Sequence, residues 1–427
     1  MSRFWARQGL LGHGVVDGLA IECGDDGTIV SVTPGVAVAP DGAAVLGGPN
    51  GLLLPGLVDA HSHGFHRALR GRTTGRDFWV WRDGMYHLVE RLDPDSFLAL
   101  TTAVFGELLL AGITTVHEFH YLHHPAGMDD AVAEAARRAG IRLVLLDACY
   151  LRSGFDRAEL DPVQGRFTDG DVDGWANRAA KVAAANPDVT VGAAIHSVRA
   201  VDPTSMEVVA GWARERNVPL HLHLSEQPAE NEACLAVTGR TPTALVARHG
   251  VLGPGTTAVH ATHLTATDID LLGSTGTTIC LCPTTERDLA DGIGPAAALA
   301  AAGSPLAVGT DSHAVVDLFE EARAIELDER LATGTRGLHH PRALLRAATG
   351  GAAPAIGSPA DLCAVDLDSV RLAGADRHDP VAMLVAAATA ADVTDVLVGG
   401  RHVVRDGQHC AVDVAAELRA AIAAVTA

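Results

Sequence analysis

Lysine is almost missing from this chain of 427 residues: Lys181 is the only one, and the rest of its Lys/Arg charge is arginine. Positive charge is short overall, with 32 basic against 52 acidic residues and a formal charge of −20. That balance argues against nucleic acid as a partner, because a polyanion needs a basic surface to replace its counterions. It leaves room for a small anionic ligand, since a few local arginines can invert the field of a pocket. No CxxC pair occurs among the seven cysteines, at 23, 149, 234, 280, 282, 363 and 410, and their number is odd. We read them as reduced thiols in a cytoplasmic protein rather than a disulfide framework. No apolar run approaches the ~20 residues of a membrane span. The opening MSRFWARQGLLG lacks the long apolar core of a signal peptide.

Apolar residues make up 48% of the chain, enough for a large core. The length suits a barrel of roughly 250–300 residues with a smaller satellite. Eight short β-branched and apolar runs alternate with Ala-rich helical stretches, at 52–61, 113–121, 141–150, 189–197, 218–226, 256–263, 277–285 and 305–313. Gly112, Gly140, Gly250 and Gly303 follow helical stretches as C-terminal caps should. Eight strands each followed by a helix predict an α/β fold, a (β/α)8 TIM barrel spanning 54–352. A doubly wound open sheet is the rival, disfavoured because no Gly-rich nucleotide fingerprint is present. The flanks differ. Residues 1–53 and 353–427 hold short strand-like pieces broken by Gly, Asp and Pro, predicting one small β-sandwich built from both ends of the chain, followed by a C-terminal helix.

The polar residues fall at the ends of these runs. His61 and His63 close the first; His117, Glu118 and His120 the second; His196 and Arg199 the fourth. His221, His223 and Glu226 close the fifth, His260 and His263 the sixth, Asp311 and His313 the eighth. In a (β/α)8 barrel, strand C-termini share the face that carries the active site. Residues i and i+2 of a strand share a side, so both rings of His61 and His63 can converge on one ion. Three imidazoles and one carboxylate suit Zn2+, with Fe2+ as the nearest competitor. His61, His63 and Asp311 supply three ligands; parity alone does not choose between His221 and His223 for the fourth. Some barrel hydrolases bridge two metals with a carboxylated lysine ending strand four. The fourth run here, VTVGAAIHS, has no lysine, so a mononuclear centre is expected. The arginine-rich segment after HSH, through residue 71, is expected to help select an acidic substrate.

The pattern HSH, HLHLSE, VHATHL and GTDSH, with flanking strands such as ADLCAVD and VLVGGRHVVRDG, resembles the amidohydrolase superfamily in its mononuclear aminohydrolase branch, over nearly the whole chain. Within that branch, HSHGFHRALRG (61–71), VHEFHYLHH (116–124) and LCPTTERDLADG (281–292) resemble the formimidoylglutamate deiminase family more closely, FHYLHH being the most specific. FWVWR (78–82) and IHSVRAV (195–201) share the likeness. The resemblance implies a zinc-dependent hydrolysis of the formimidoyl group of a glutamate derivative, and a homodimer. By it, His61, His63, His223 and Asp311 bind the metal, and the spacing to Glu226 favours His223. Glu226, His260 and Asp311 are catalytic. Arg82, Tyr121, His196 and Arg199 hold the substrate, with His66 standing where some members have Gln.

The chemistry agrees with that assignment. A dicarboxylate is well read by two arginines, which bind carboxylates in planar bidentate fashion. Arg199 lies just past the fourth run; Arg82 lies in an aromatic-rich segment expected as a loop. Asp311 can accept a proton from water, Glu226 can shuttle it to the departing nitrogen, and His260 can hydrogen-bond the attacking oxygen, with His263 as rival. Glu226 read more plainly only orients His223. Two other functions compete: a deaminase of a purine-type ring with the same ligands but no paired arginines, and a barrel without catalysis that serves as a scaffold.

Overall fold

The computed structural model describes residues 1–12, 14–72, 78–156 and 159–426, and only the backbone of Phe78 and Trp79. The expected barrel is present. Its strands are Leu57–Ser62, Ile113–His120, Arg142–Cys149, Thr190–Ser197, Leu220–Leu224, Thr256–His260, Thr278–Leu281 and Leu306–Val308. They are paired in sequence order, each parallel to the next. The eighth returns to the first at its C-terminal end: Asp311 N–H donates to His61 O at 2.9 Å, and His63 N–H to Asp311 O at 3.0 Å. The barrel therefore closes through the residues expected to bind the metal. Gly309 permits that approach, since a Cβ there would lie 2.6 Å from His61 O.

Strands in this position are apolar on both sides, because helices cover one face and the barrel interior fills the other. Leu143 to Cys149 are buried without exception. Helices between them carry the opposite signature, with one buried stripe: in Met128–Ala139, Ala131, Val132, Ala135, Ala136 and Ala139 face inward. Their starts are set by side-chain caps. Asp93 and Ser96 form a reciprocal capping box on Pro94–Leu110, and Asp202 and Asp317 cap later helices. All four glycines expected after helices hold positive φ, between 66° and 112°.

The run expected as one strand over 52–61 is two. Gly51–Pro55 lies in the satellite sheet and Leu57–Ser62 in the barrel. The chain changes sheet at Gly56, where a Cβ would collide with Thr114 Oγ1 at 2.0 Å. The expected boundary at 53/54 thus falls inside a satellite strand. That satellite is one mixed nine-stranded sheet: Gln408–His409, Arg401–Arg405, Val393–Val398, Leu362–Asp366, Gly51–Pro55, Ser2–Leu11, Gly14–Cys23 and Ile29–Thr33 in spatial order, with Ala44–Val45 beside Ser2–Leu11. It curls until Thr28 bridges Pro359, enclosing its own core of Phe4, Leu19, Ile21, Ile29, Leu53, Leu362 and Leu397. The C-terminal helix Val414–Thr426 packs on the barrel instead, its Val414 against Gly106 of Pro94–Leu110. Among the described residues no helix is long and apolar enough to cross a membrane. The seven cysteines are free thiols, all buried but Cys410.

Candidate metal centre and active site

Four donor atoms converge at the barrel mouth. His223 Nε2 lies 3.1 Å from His61 Nε2 and 3.3 Å from His63 Nε2. Asp311 Oδ1 lies 3.3 Å from His61 Nε2 and 3.5 Å from His63 Nε2. A tetrahedral ion with bonds of about 2.0 Å has donor–donor edges of about 3.3 Å, so the spacing matches. The proton positions decide whether a cation fits. His63 Nδ1 faces the carbonyl of Phe119 at 2.9 Å, and His223 Nδ1 that of His196 at 2.8 Å. A carbonyl only accepts, so each Nδ1 carries the proton and each Nε2 turns a lone pair to the centre. Burial lowers the pKa of His61, and of His63 and His223 well below the ordinary value, keeping the rings neutral. Two lone pairs so directed, the Nε2 of His61 and a carboxylate oxygen face one point, an arrangement that a cation between them satisfies. The donor set fits zinc.

The tie between His221 and His223 is resolved by depth. Both side chains point inward, but His221 lies one layer toward the strand N-terminus, its ring 5.4 Å from that of His117. Not every strand-end group joins the mouth. Glu118 accepts from Ser62 Oγ at 2.6 Å and Gly64 N at 2.7 Å. His120 turns to Asp129, His263 to the carbonyl of Asp291 and His313 to Ser62. Arg67 and Arg70 are bound to Glu107, and Arg70 also to His313 O. They therefore brace the segment after the first strand, and the expectation that they select substrate is corrected.

One cavity receives the remaining candidates: His66, Arg82, Tyr121, His196, Arg199, Glu226, His260 and Asp311 all line it with His63 and His223. Arg82 arrives on a helix, Phe78–Arg91, where a loop was expected; its guanidinium carbon is 5.4 Å from the Tyr86 ring centre. His66 Nε2 and Tyr121 OH share a hydrogen bond of 2.8 Å. Burial pushes the pKa of His66 and of His196 down to about 3, so both are neutral. Arg199 Nε donates to Glu230 at 2.9 Å. His260 holds φ of 68°, which turns its ring back over the centre: Nε2 is 3.9 Å from Glu226 and 4.0 Å from Asp311 Oδ2. Burial raises the Glu226 pKa.

Three buried carboxylates support this site and were not read as functional. Glu286 Oε1 is 3.4 Å from His260 Nδ1 and accepts from Cys282 N at 3.0 Å. It lies within LCPTTERDLADG, so the motif contained the signal. Asp59 accepts from Thr310 N, Thr310 Oγ1 and His61 N, pinning the two ends that close the barrel; its place two residues before His61 was the clue. Glu230, at the start of a helix, carried no local signal.

A closed parallel barrel with a buried three-histidine, one-aspartate centre beside proton-handling side chains defines a metal-dependent hydrolase. The model of the amidohydrolase family matches residues 52–403, and the chain belongs to that family. It is 34% identical to a formimidoylglutamate deiminase of Pseudomonas aeruginosa PAO1 over 96% of each chain. It is 32% identical to an 8-oxoguanine deaminase of the same organism over 100% of each. An adenosine deaminase from Xanthomonas campestris, solved with bound zinc, superposes with a TM-score of 0.87 at 26% identity, over 99% of this chain and 97% of that one. The enzyme is a metal-dependent hydrolase of C–N bonds with a zinc-type centre.

Proposed function

We propose that the substrate is N-formimidoyl-L-glutamate, hydrolysed to N-formyl-L-glutamate and ammonia: HN=CH–NH–R + H2O → O=CH–NH–R + NH3. The observation that carries this reading is that Arg82 and Arg199, on separate elements, line the same cavity as the ligand atoms, Glu226 and His260. Two guanidiniums and one reacting centre suit a small molecule with two carboxylates and one C–N head. The 34% identity to the P. aeruginosa deiminase over nearly the full length supports it.

His61, His63, His223 and Asp311 would hold a zinc ion, which when bound would make water a nucleophile at neutral pH by lowering its pKa to ~7. Asp311 takes the water's proton on Oδ2, the oxygen 4.0 Å from His260 Nε2 and distinct from the Oδ1 that faces His61 and His63. His260 donates to the attacking oxygen. The nitrogen leaves as NH3 with both hydrogens of the attacking water, the one taken by Asp311 and the one on the added hydroxyl; Glu226, whose pKa burial raises, is suited to carry each in turn to that nitrogen. Arg82 and Arg199 each hold one carboxylate, and the Tyr121–His66 pair and His196 shape the pocket between rim and centre.

A second reading has one observation in its favour: the 8-oxoguanine deaminase is nearly as similar, at 32% over the full length. Ammonia release by the zinc-loaded enzyme separates the two. Turnover of N-formimidoyl-L-glutamate is expected; turnover of guanine or 8-oxoguanine with none of the formimidoyl compound would overturn the proposal.

A further inference from the structure

Arg199 lies just beyond the fourth barrel strand, Thr190–Ser197, and lines the active cavity, but its guanidinium is not independent. Its Nε donates to Glu230 Oε2 at 2.9 Å, and the Glu230 side chain is only 3% exposed. The other carboxylate oxygen, Oε1, accepts the backbone N–H of Ser225 at 3.0 Å. Ser225 lies between His223 and Glu226 and holds φ of 52°, a left-handed conformation that a residue with a Cβ keeps only when its surroundings hold it. Its carbonyl is engaged too, accepting from His263 N at 3.0 Å. One buried carboxylate, from the first turn of the helix Pro228–Thr238, therefore ties the guanidinium to the turn that presents Glu226.

Holding Nε restricts the rotation of a guanidinium and leaves its Nη1/Nη2 edge for a ligand in the cavity that Arg199 lines. That is the requirement for end-on bidentate binding of a carboxylate. We propose that Glu230 is a positioning residue, which fixes the Arg199 plane for a substrate carboxylate in register with the turn carrying Glu226. This rests on the reading of Arg199 as a carboxylate-binding group.

Charge and geometry predict opposite signs, which makes the idea testable. If Glu230 merely neutralised Arg199, its removal would leave a buried cation uncompensated and tighten anion binding. Glu230→Gln is nearly isosteric; with its amide oxygen kept on Ser225 N it turns an NH2 toward Arg199 Nε, so the turn carrying Glu226 is retained and only the anchor of the guanidinium is lost. Calorimetric titration of glutarate into the zinc-loaded enzyme is expected to show affinity about tenfold weaker in Glu230→Gln. With N-formimidoyl-L-glutamate, KM should rise about tenfold while kcat stays within about twofold, and the substitution should add nothing in an Arg199→Met background. Glutarate affinity that is unchanged or tighter overturns the inference, as does a native enzyme that binds no glutarate. A native enzyme that binds glutarate yet releases no ammonia from the formimidoyl compound defeats the proposed substrate instead, and Glu230 is then judged on glutarate alone. Should Glu230→Gln fail to fold, Glu230→Asp keeps the charge but shortens the reach; native glutarate affinity in that variant counts against positioning.

Discussion

His61, His63, His223 and Asp311 form one buried cluster at the barrel mouth, and His120, His123 and Asp129 form another at the end of the second strand. The spacings barely differ. Donor atoms lie 3.1–3.5 Å apart in the first, and Asp129 Oδ1 is 3.1 Å from His120 Nε2 and 3.2 Å from His123 Nδ1 in the second. The protons separate them. At the mouth, His63 and His223 donate outward to carbonyls and leave lone pairs facing in. In the second cluster His123 faces an acceptor with each ring nitrogen, Asp129 on one side and the carbonyl of Ala148 on the other. A cation is also already there: Arg178 donates to Asp129 Oδ1 at 3.1 Å, to both oxygens of Asp147 and to Asp169. The second cluster is an ion-pair network that clamps the end of Ile113–His120 to the helix Met128–Ala139. Residue types at ligand spacing are thus insufficient to define a metal site; the direction of the lone pairs decides.

That contrast can be broken at several points. The largest effect is expected at Asp311→Asn, which should cut ammonia release by about a thousandfold or more while circular dichroism stays native; a near-native rate would remove this carboxylate from the chemistry. Elemental analysis of protein purified without chelators should return one ion per chain. His223→Ala should drop that below about one tenth, whereas His123→Ala should leave it at one. Two ions per native chain would show that the second cluster binds metal after all.

Asp129→Asn should act on stability instead, costing about 3 kcal/mol in denaturant unfolding because Arg178 loses a buried partner, with metal content unchanged. Burial would raise the Asp129 pKa, but His120 and His123 outweigh it and hold it far below the usual carboxylate value. A depressed folded pKa means that this stabilisation is complete above the unfolded value of about 4 and is lost as pH falls below it. The native enzyme should therefore lose more stability below pH ~4 than Asp129→Asn does; parallel pH curves would contradict the clamp. Arg199→Met should raise KM about ten- to a hundredfold with little change in kcat, and unchanged kinetics would mean that the carboxylate is held elsewhere. The smallest effect belongs to Lys181→Ala. Lys181 is exposed on the helix Val172–Ala185, so activity and metal content should not move, and a loss of metal would revive a lysine-bridged centre.

Much of this was legible from local pattern. The HxH pair on the first strand and the eight alternating runs follow from strand parity and from burial of parallel strands on both faces, which are properties of neighbouring residues. What escaped depended on separation along the chain. Nothing within ten residues of Glu230 announces that it holds Arg199, 31 positions away. The helix carrying Arg82 was expected as a loop, because aromatic crowding there hid the helical period. The split at Gly56 was invisible because both halves of 52–61 are equally apolar; only the approach of Thr114 shows where the chain leaves one sheet for the other.

The sequence by itself determined the barrel, the ends at which its chemistry lies, and the residue types a zinc-type centre requires, because strand periodicity and ligand chemistry are local. Strand parity left His221 and His223 equal and the family resemblance favoured His223; only the tertiary structure gave the physical ground for that choice, joined His120 and His123 to a clamp, and moved Arg67 and Arg70 from substrate to scaffold. Each of those outcomes is a matter of which side chain or backbone atom a group meets from an element distant in sequence, and that is set only when the elements pack together.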